Sequence, residues 1–140
     1  MNPDYIVEAL NARFPPAIKT LRAKVLEFVP ESRSITMEFN IGLEFCHSGD
    51  VVQGGFVTAM LDAAMSHALS ATGNGLVSAS TIDLTVSFLK ATRAGRHVGK
   101  GIVVKSGRTV GFARGELYNE AGELTATASA SAMLVPRNPD

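Results

Sequence analysis

The sequence predicts an α+β domain: an antiparallel sheet of six strands, curved by its own twist, wraps one long central helix, and a short helix precedes it. Three observations lead there. From Gly54 to Ala71 the chain runs through about five turns of apolar or small residues, and a helix apolar on almost every side must be covered by other structure. Two segments of strand period come before that helix and four come after it. The later segments are joined by short connections, which link antiparallel neighbours, so those four strands should form a meander.

Each element has its own justification. Asn2-Pro3 is a helix start, a capping side chain followed by proline at the first helical position. Tyr5, Ile6, Ala9, Leu10 and Phe14 then recur at helical spacing until Pro15-Pro16 stops the run. Leu21 to Val29 and Ser34 to Ile41 alternate around the turn Pro30-Glu31-Ser32-Arg33, which predicts a hairpin. Glu44 to Gln53 has no period and reads as a loop. The central helix follows and is ended by Gly73-Asn74-Gly75. Val77 to Leu89 is the next strand, with Ile82, Leu84, Val86 and Phe88 expected on one face. His97 to Lys105, Thr109 to Tyr118 and Leu124 to Val135 complete the sheet. In the last of these, alanines alternate with hydroxyl residues from Ala126 to Ala132, a small face against which something thick can pack closely.

At 140 residues the chain is expected to be one domain, 1–140, with one real core. Thirteen basic residues balance thirteen acidic ones without runs of like sign, so neither nucleic acid nor an anionic membrane is an expected partner. A single cysteine, Cys46, excludes an internal disulfide framework and fits a reducing compartment; the N-terminal stretch does not read as a signal peptide. Both point to the cytoplasm. Asp62 and His67 interrupt the longest apolar stretch, which leaves it short of the roughly 20 apolar residues of a membrane span.

Asp62 is the anomaly of the central helix. An unpaired ionised carboxylate in apolar surroundings costs several kcal/mol, so it must reach a partner or a polar cleft. No basic residue lies within one turn of it except His67, which at five residues' separation is off its face. The start of the same helix is a second candidate feature. Its first N–H groups lack internal partners and sit at the positive end of the helix dipole, and glycine there lets a ligand approach the backbone.

These features resemble the hotdog-fold acyl-CoA thioesterases related to 4-hydroxybenzoyl-CoA thioesterase and to the phenylacetate-pathway type. The resemblance spans about Leu21 to Val135. It rests on Gln53-Gly54-Gly55 opening the helix, Asp62 eight residues after Gly54, Thr81-Ile82-Asp83 in the next strand, and Lys105-Ser106-Gly107-Arg108-Thr109 at a later turn. It implies a thioester hydrolase that releases free CoA and a carboxylic acid with no separate cofactor. By position it assigns the nucleophile or general base to Asp62, the carbonyl donor to Gly54, a polar contact to His47 and the strand hydroxyl to Thr81. Gly55, Lys105 and Arg108 fall to the coenzyme A moiety, with Lys90 and Arg93 as further basic residues near strand ends. Two residues depart from the family's pattern. Gln53 stands where histidine is usual, and His47 where an amide side chain is.

Helix geometry adds a constraint. Eight residues span about 12 Å, so Gly54 and Asp62 of one chain cannot both touch one thioester group. Two copies with antiparallel central helices would bring Gly54 of one near Asp62 of the other, and the resemblance implies such homodimers, often paired into tetramers. A cysteine nucleophile is disfavoured, because adjacent Cys46 and His47 side chains on extended backbone point apart. His67 and His97 are expected to be structural or surface residues, and no two histidines stand at ligand spacing, so no metal is expected. A non-catalytic acyl-CoA binding module and a hotdog hydratase or dehydratase are the competing functions.

Overall fold

A computed structural model describes residues 2–137. Asn2 caps helix α1 (Pro3–Ala12) through its side chain, as its position before proline implies. Pro15-Pro16 does more than stop the chain. Proline suits a first helical position, and Pro16 opens a further short helix, α2 (Pro16–Thr20). The hairpin is formed by β1 (Lys24–Val29) and β2 (Ser34–Ile41). The expected loop from Glu44 to Gln53 holds a turn of 3-10 helix, Leu43–Phe45, and a small two-stranded ribbon of β3 (Cys46–Ser48) and β4 (Val51–Val52). The central helix α3 spans Gly54–Thr72. Gly73 caps it, and Asn74 and Gly75 follow in the left-handed region, with the Gly75 N–H bonded to the Ser70 carbonyl at 2.8 Å.

The last four strands are β5 (Val77–Phe88), β6 (Gly95–Ser106), β7 (Val110–Tyr118) and β8 (Leu124–Pro136). All six long strands form one antiparallel sheet in the order β1-β2-β6-β7-β8-β5. The expected meander therefore holds only for β6, β7 and β8. β5 crosses to the far edge and pairs with β8, while β6 pairs with β2. Short connections predict antiparallel direction, but six residues suffice for a crossover around the end of a helix.

α3 packs against β2, β5, β6, β7 and β8. Five strands at about 4.8 Å spacing are wider than a helix, so contact with all of them requires a sheet that curls around it. This is the hotdog arrangement. The closest approach is at Gly101, which pairs with Gly115 across β6 and β7. A Cβ at Gly101 would meet the Ala64 carbonyl oxygen at 2.1 Å, so only glycine lets the helix backbone lie on the strand there. Ala126, Ala128 and Ala132 are buried, so the small face of β8 packs inward as its alternation implies.

Candidate active site

α3 is not covered equally on all sides. Val57, Met60, Leu61, Ala64, Met65 and Ala68 are buried against the sheet. Gly55, Phe56, Ala59, Asp62, Ser66 and His67 are only partly buried or exposed, and they recur at helical spacing on another face. Asp62 thus occupies the side of the helix that the sheet leaves open. It is a cleft residue.

Its partner is Thr81 on β5, whose Oγ1 donates to Asp62 Oδ1 at 2.6 Å, the length of a hydrogen bond to a charged acceptor. A β-bulge makes this contact possible. Thr81 pairs with Ala132 and Asp83 with Ser131, which leaves Ile82 as the extra residue. Ala79 packs toward the core before the bulge, and Leu84 and Val86 after it, so the inward parity changes from odd to even. Contrary to the expectation from unbroken alternation, Ile82 does not share the face of Leu84 and Val86. It is 59% exposed, and Thr81 takes the position opposite the acid.

Asp62 lines an open cavity of about 440 Å³ bordered by α1, α2, one face of α3 and the start of β5. Leu10, Ile18, Leu21, Phe45, Phe56 and Ala59 contribute apolar wall. Along α3 the wall turns polar beyond Asp62, with Ser66, His67 and Ser70. Burial holds the His67 imidazole below its ordinary value; the Arg137 charge acts the same way, while the Ala63 carbonyl and Asp62 oppose it. His67, expected to be structural or surface, is part-buried, bonded through Nδ1 to the Ala63 carbonyl of its own helix, and lines this wall.

The remaining expected site residues lie elsewhere. Gly54 lines a separate cleft with Phe88, Leu89 and Thr92, away from the cavity that holds Asp62. Gln53 precedes it as the N-cap residue but makes no side-chain cap, so the first N–H groups of α3 have no partner of that kind. The turn before the helix is held firmly: Val52 N–H bonds to the Thr92 carbonyl at 2.8 Å, Ala94 N–H to the Asp50 carbonyl at 2.8 Å, and Arg93 pairs with Asp50 at 2.6 Å. Gly55 is exposed with open space around its Cα. His47 is exposed on β3, within hydrogen-bonding distance of Ser48 Oγ at 2.8 Å, and does not line the Asp62 cavity. Lys90 is bound by Glu123. Lys105 and Arg108 are exposed at the other end of β6 from the Gly54 turn. One chain therefore brings Asp62 and Thr81 together and leaves Gly54, Gly55, His47, Lys105 and Arg108 apart from them.

No curated protein matches this sequence. The family model of the thioesterase superfamily matches residues 49–126, a segment that contains Gly54, Asp62 and Thr81. Among solved structures, the chain is similar to a phenylacetic acid degradation-related protein of Ralstonia eutropha JMP134, with 31% identity, 94% of this chain and 99% of that one covered, and a TM-score of 0.83. A thioesterase family protein of Silicibacter pomeroyi is 24% identical over 95% of this chain and 98% of its own, with a TM-score of 0.82. The E. coli PaaI protein from the phenylacetic acid degradation operon is 14% identical over 96% and 94%, also with a TM-score of 0.82. The last two show the shared fold. With the family model spanning the helix, the bulge and strands β5, β6 and β7, more than half of the chain, and a relative aligned almost end to end, the chain belongs to the thioesterase superfamily.

Proposed function

We propose that this protein hydrolyses acyl-CoA thioesters to free coenzyme A and a carboxylic acid, with Asp62 as the catalytic carboxylate and no metal ion. The observation that carries this reading is the Thr81–Asp62 hydrogen bond at the wall of a largely apolar cavity. The bond orients the carboxylate through Oδ1. Oδ2 has no hydrogen-bond partner among the described residues and is available to a reactant.

In the simplest route Oδ2 takes a proton from water as the water oxygen bonds to the thioester carbon. The carbonyl electron pair moves onto oxygen, where backbone N–H donors stabilise it. Collapse breaks the C–S bond, and the departing thiolate receives the proton from Asp62. If Asp62 attacks the carbon itself, the resulting anhydride is hydrolysed in a second step with the same products.

The oxyanion donor would be the N–H group at Gly54 of a second copy, with Gly55 beside it against the coenzyme A moiety. Within one chain Gly54 and Asp62 open onto different clefts, which supports the 12 Å argument for a homodimer with shared sites. An antiparallel two-fold would also carry Lys105 and Arg108 toward the second copy's helix start, where the nucleotide phosphates need cations. His47, close to that start in sequence, would contact the acyl carbonyl or a water. Pairing of dimers into a tetramer completes the assembly.

Thiol release from a panel of aryl, short, medium and long acyl-CoA esters tests the reading. Asp62→Asn should keep the fold and lower kcat by at least about 100-fold, with wild-type activity retained in EDTA. A near-wild-type rate in the variant would remove the catalytic assignment.

A further inference from the structure

Backbone groups hold the start of α3. Gln53 makes no side-chain cap, and the Phe56 and Val57 N–H groups both turn back to the Gln53 carbonyl, at 2.9 and 3.2 Å. The first N–H of a helix has no partner within it, so where the Gly54 N–H points depends on what fixes residues 50–53. One support is the Phe45 carbonyl, which accepts from the Gln53 N–H at 2.9 Å. The other is the crossover segment between β5 and β6. It forms an antiparallel bridge between Arg93 and Val51, closed by the Val52 and Ala94 N–H bonds described above. The Arg93–Asp50 ion pair adds little, because both side chains are more than half exposed.

That crossover segment is in turn clipped to the sheet by a buried side chain. His97 on β6 is 2% exposed, and its Nε2 lies 2.6 Å from the Arg93 carbonyl. A carbonyl can only accept, so Nε2 carries the hydrogen, and in the neutral ring Nδ1 is bare. Nδ1 is buried with no hydrogen-bond partner among the described residues. Leucine in this place would fill space without burying a bare polar nitrogen. What histidine adds over leucine is the Nε2–H bond to the segment. The residue that accepts it, Arg93, is the one bridged to Val51. Contacts therefore run from the sheet through His97 to Arg93, then to Val51-Val52, and Gly54 follows two residues later.

We infer that His97 is a positioning residue for the helix start: by holding the Arg93 carbonyl, its Nε2–H sets where the Gly54 N–H points. His97 does not line the Asp62 cavity of its own chain. It belongs to the Gly54 half of the site, and in a dimer with shared sites it serves the Asp62 of the second copy.

The inference rests on Gly54 being the oxyanion donor of the proposed thioesterase, so wild type, Gly54→Pro and Asp62→Asn are measured beside three variants of His97. His97→Leu has no donor, His97→Asn carries an amide nitrogen too short to reach, and His97→Gln carries one about as far out as Nε2. With the best acyl-CoA ester, kcat should fall at least about 10-fold in the Leu and Asn variants with a smaller change in KM, and Gln should restore most of it. Amide hydrogen exchange at Val52 and Ala94 should quicken in His97→Leu while β7 keeps its wild-type rates. Equal quickening in β7 would mark a merely structural residue and overturn the inference.

Mixed dimers then assign the half-site. Refolded with Asp62→Asn, His97→Leu should reach roughly a quarter of wild-type activity, because one site of each mixed dimer has both halves intact. Refolded with Gly54→Pro, it should gain nothing over the average of the two parents. The reverse pattern, or no gain with either partner in mixed dimers shown to form, would overturn the assignment. Wild-type kcat in folded His97→Leu, or no advantage of Gln over Asn, would overturn the inference and leave the hydrolase standing. No thiol release by the wild type from any ester would remove the enzyme reading and this inference together.

Discussion

Thr81 Oγ1 stands 2.6 Å from Asp62 Oδ1 because a one-residue bulge turns the threonine, and not Ile82, toward the helix. Sheet and helix thus fix the carboxylate jointly. Thr81→Val keeps the shape and removes the donor, and should lower kcat by about 10-fold with a much smaller change in KM. Thr81→Ser should keep most of the rate. A Thr81→Val enzyme with wild-type kcat would show that the bond does not position the acid.

The shared-site proposal predicts complementation between two inactive chains. Gly54→Pro removes the N–H donor while suiting a first helical position, and the Phe88 ring that a new Cβ would meet at 3.2 Å is itself half-exposed and can yield. Refolded together at equal amounts, Asp62→Asn and Gly54→Pro chains should regain roughly a quarter of wild-type activity, since half the random dimers are mixed and half of their sites are intact. Mixed dimers that form and stay inactive would exclude cooperation across an interface.

Acid stability follows from two histidines. Burial lowers the titration of His67, and of His97, whose Nδ1 is buried without a hydrogen-bond partner among the described residues. Both groups titrate near 6.5 when unfolded, so below that pH the unfolded chain binds more protons than the folded one. Stability is then complete above about pH 6.5 and declines as pH falls toward the lowered folded values. Urea midpoints measured from pH 7.5 to 5.5 should decrease steadily. A flat profile would contradict the neutral, buried state of both rings.

Packing at the helix–sheet contact yields a test independent of catalysis. Gly101→Ala should destabilise by on the order of 1–3 kcal/mol or more, because its Cβ has only the Ala64 backbone to displace. Gly55→Ala, with nothing within 4 Å, should change the urea midpoint very little. Equal midpoints for the two variants would show that the seam is looser than the glycine implies.

The sequence makes some of this legible and hides the rest for physical reasons. The central helix is visible because its apolar run and its Gly-Asn-Gly stop are both local signals. Strand order is not, because pairing of β5 with β8 depends on contacts some fifty residues apart and leaves no mark in either strand. The bulge is concealed by a side-chain pattern, Ile82-Leu84-Val86-Phe88, that alternates without a break. The acid announced itself as a charge in an apolar helix, and the hydroxyl came from the resemblance alone. His67 stayed hidden because a lone helical histidine has the same sequence signature on a surface as in a cavity wall.

The short α2 helix bears on how such a protein can diversify. The Asp62–Thr81 pair is anchored on the central helix and on an edge strand paired along its length with β8. The opposite wall of the cavity runs from Pro15 to Leu21, outside the sheet, on one turn of helix started by its own proline and mostly exposed. Apart from Ile18 and Leu21, which pack into the core, residues there can be exchanged with little effect on it. On the proposed function, chemistry and substrate choice lie on separate pieces of chain, so a lineage could change what it accepts while keeping how it reacts.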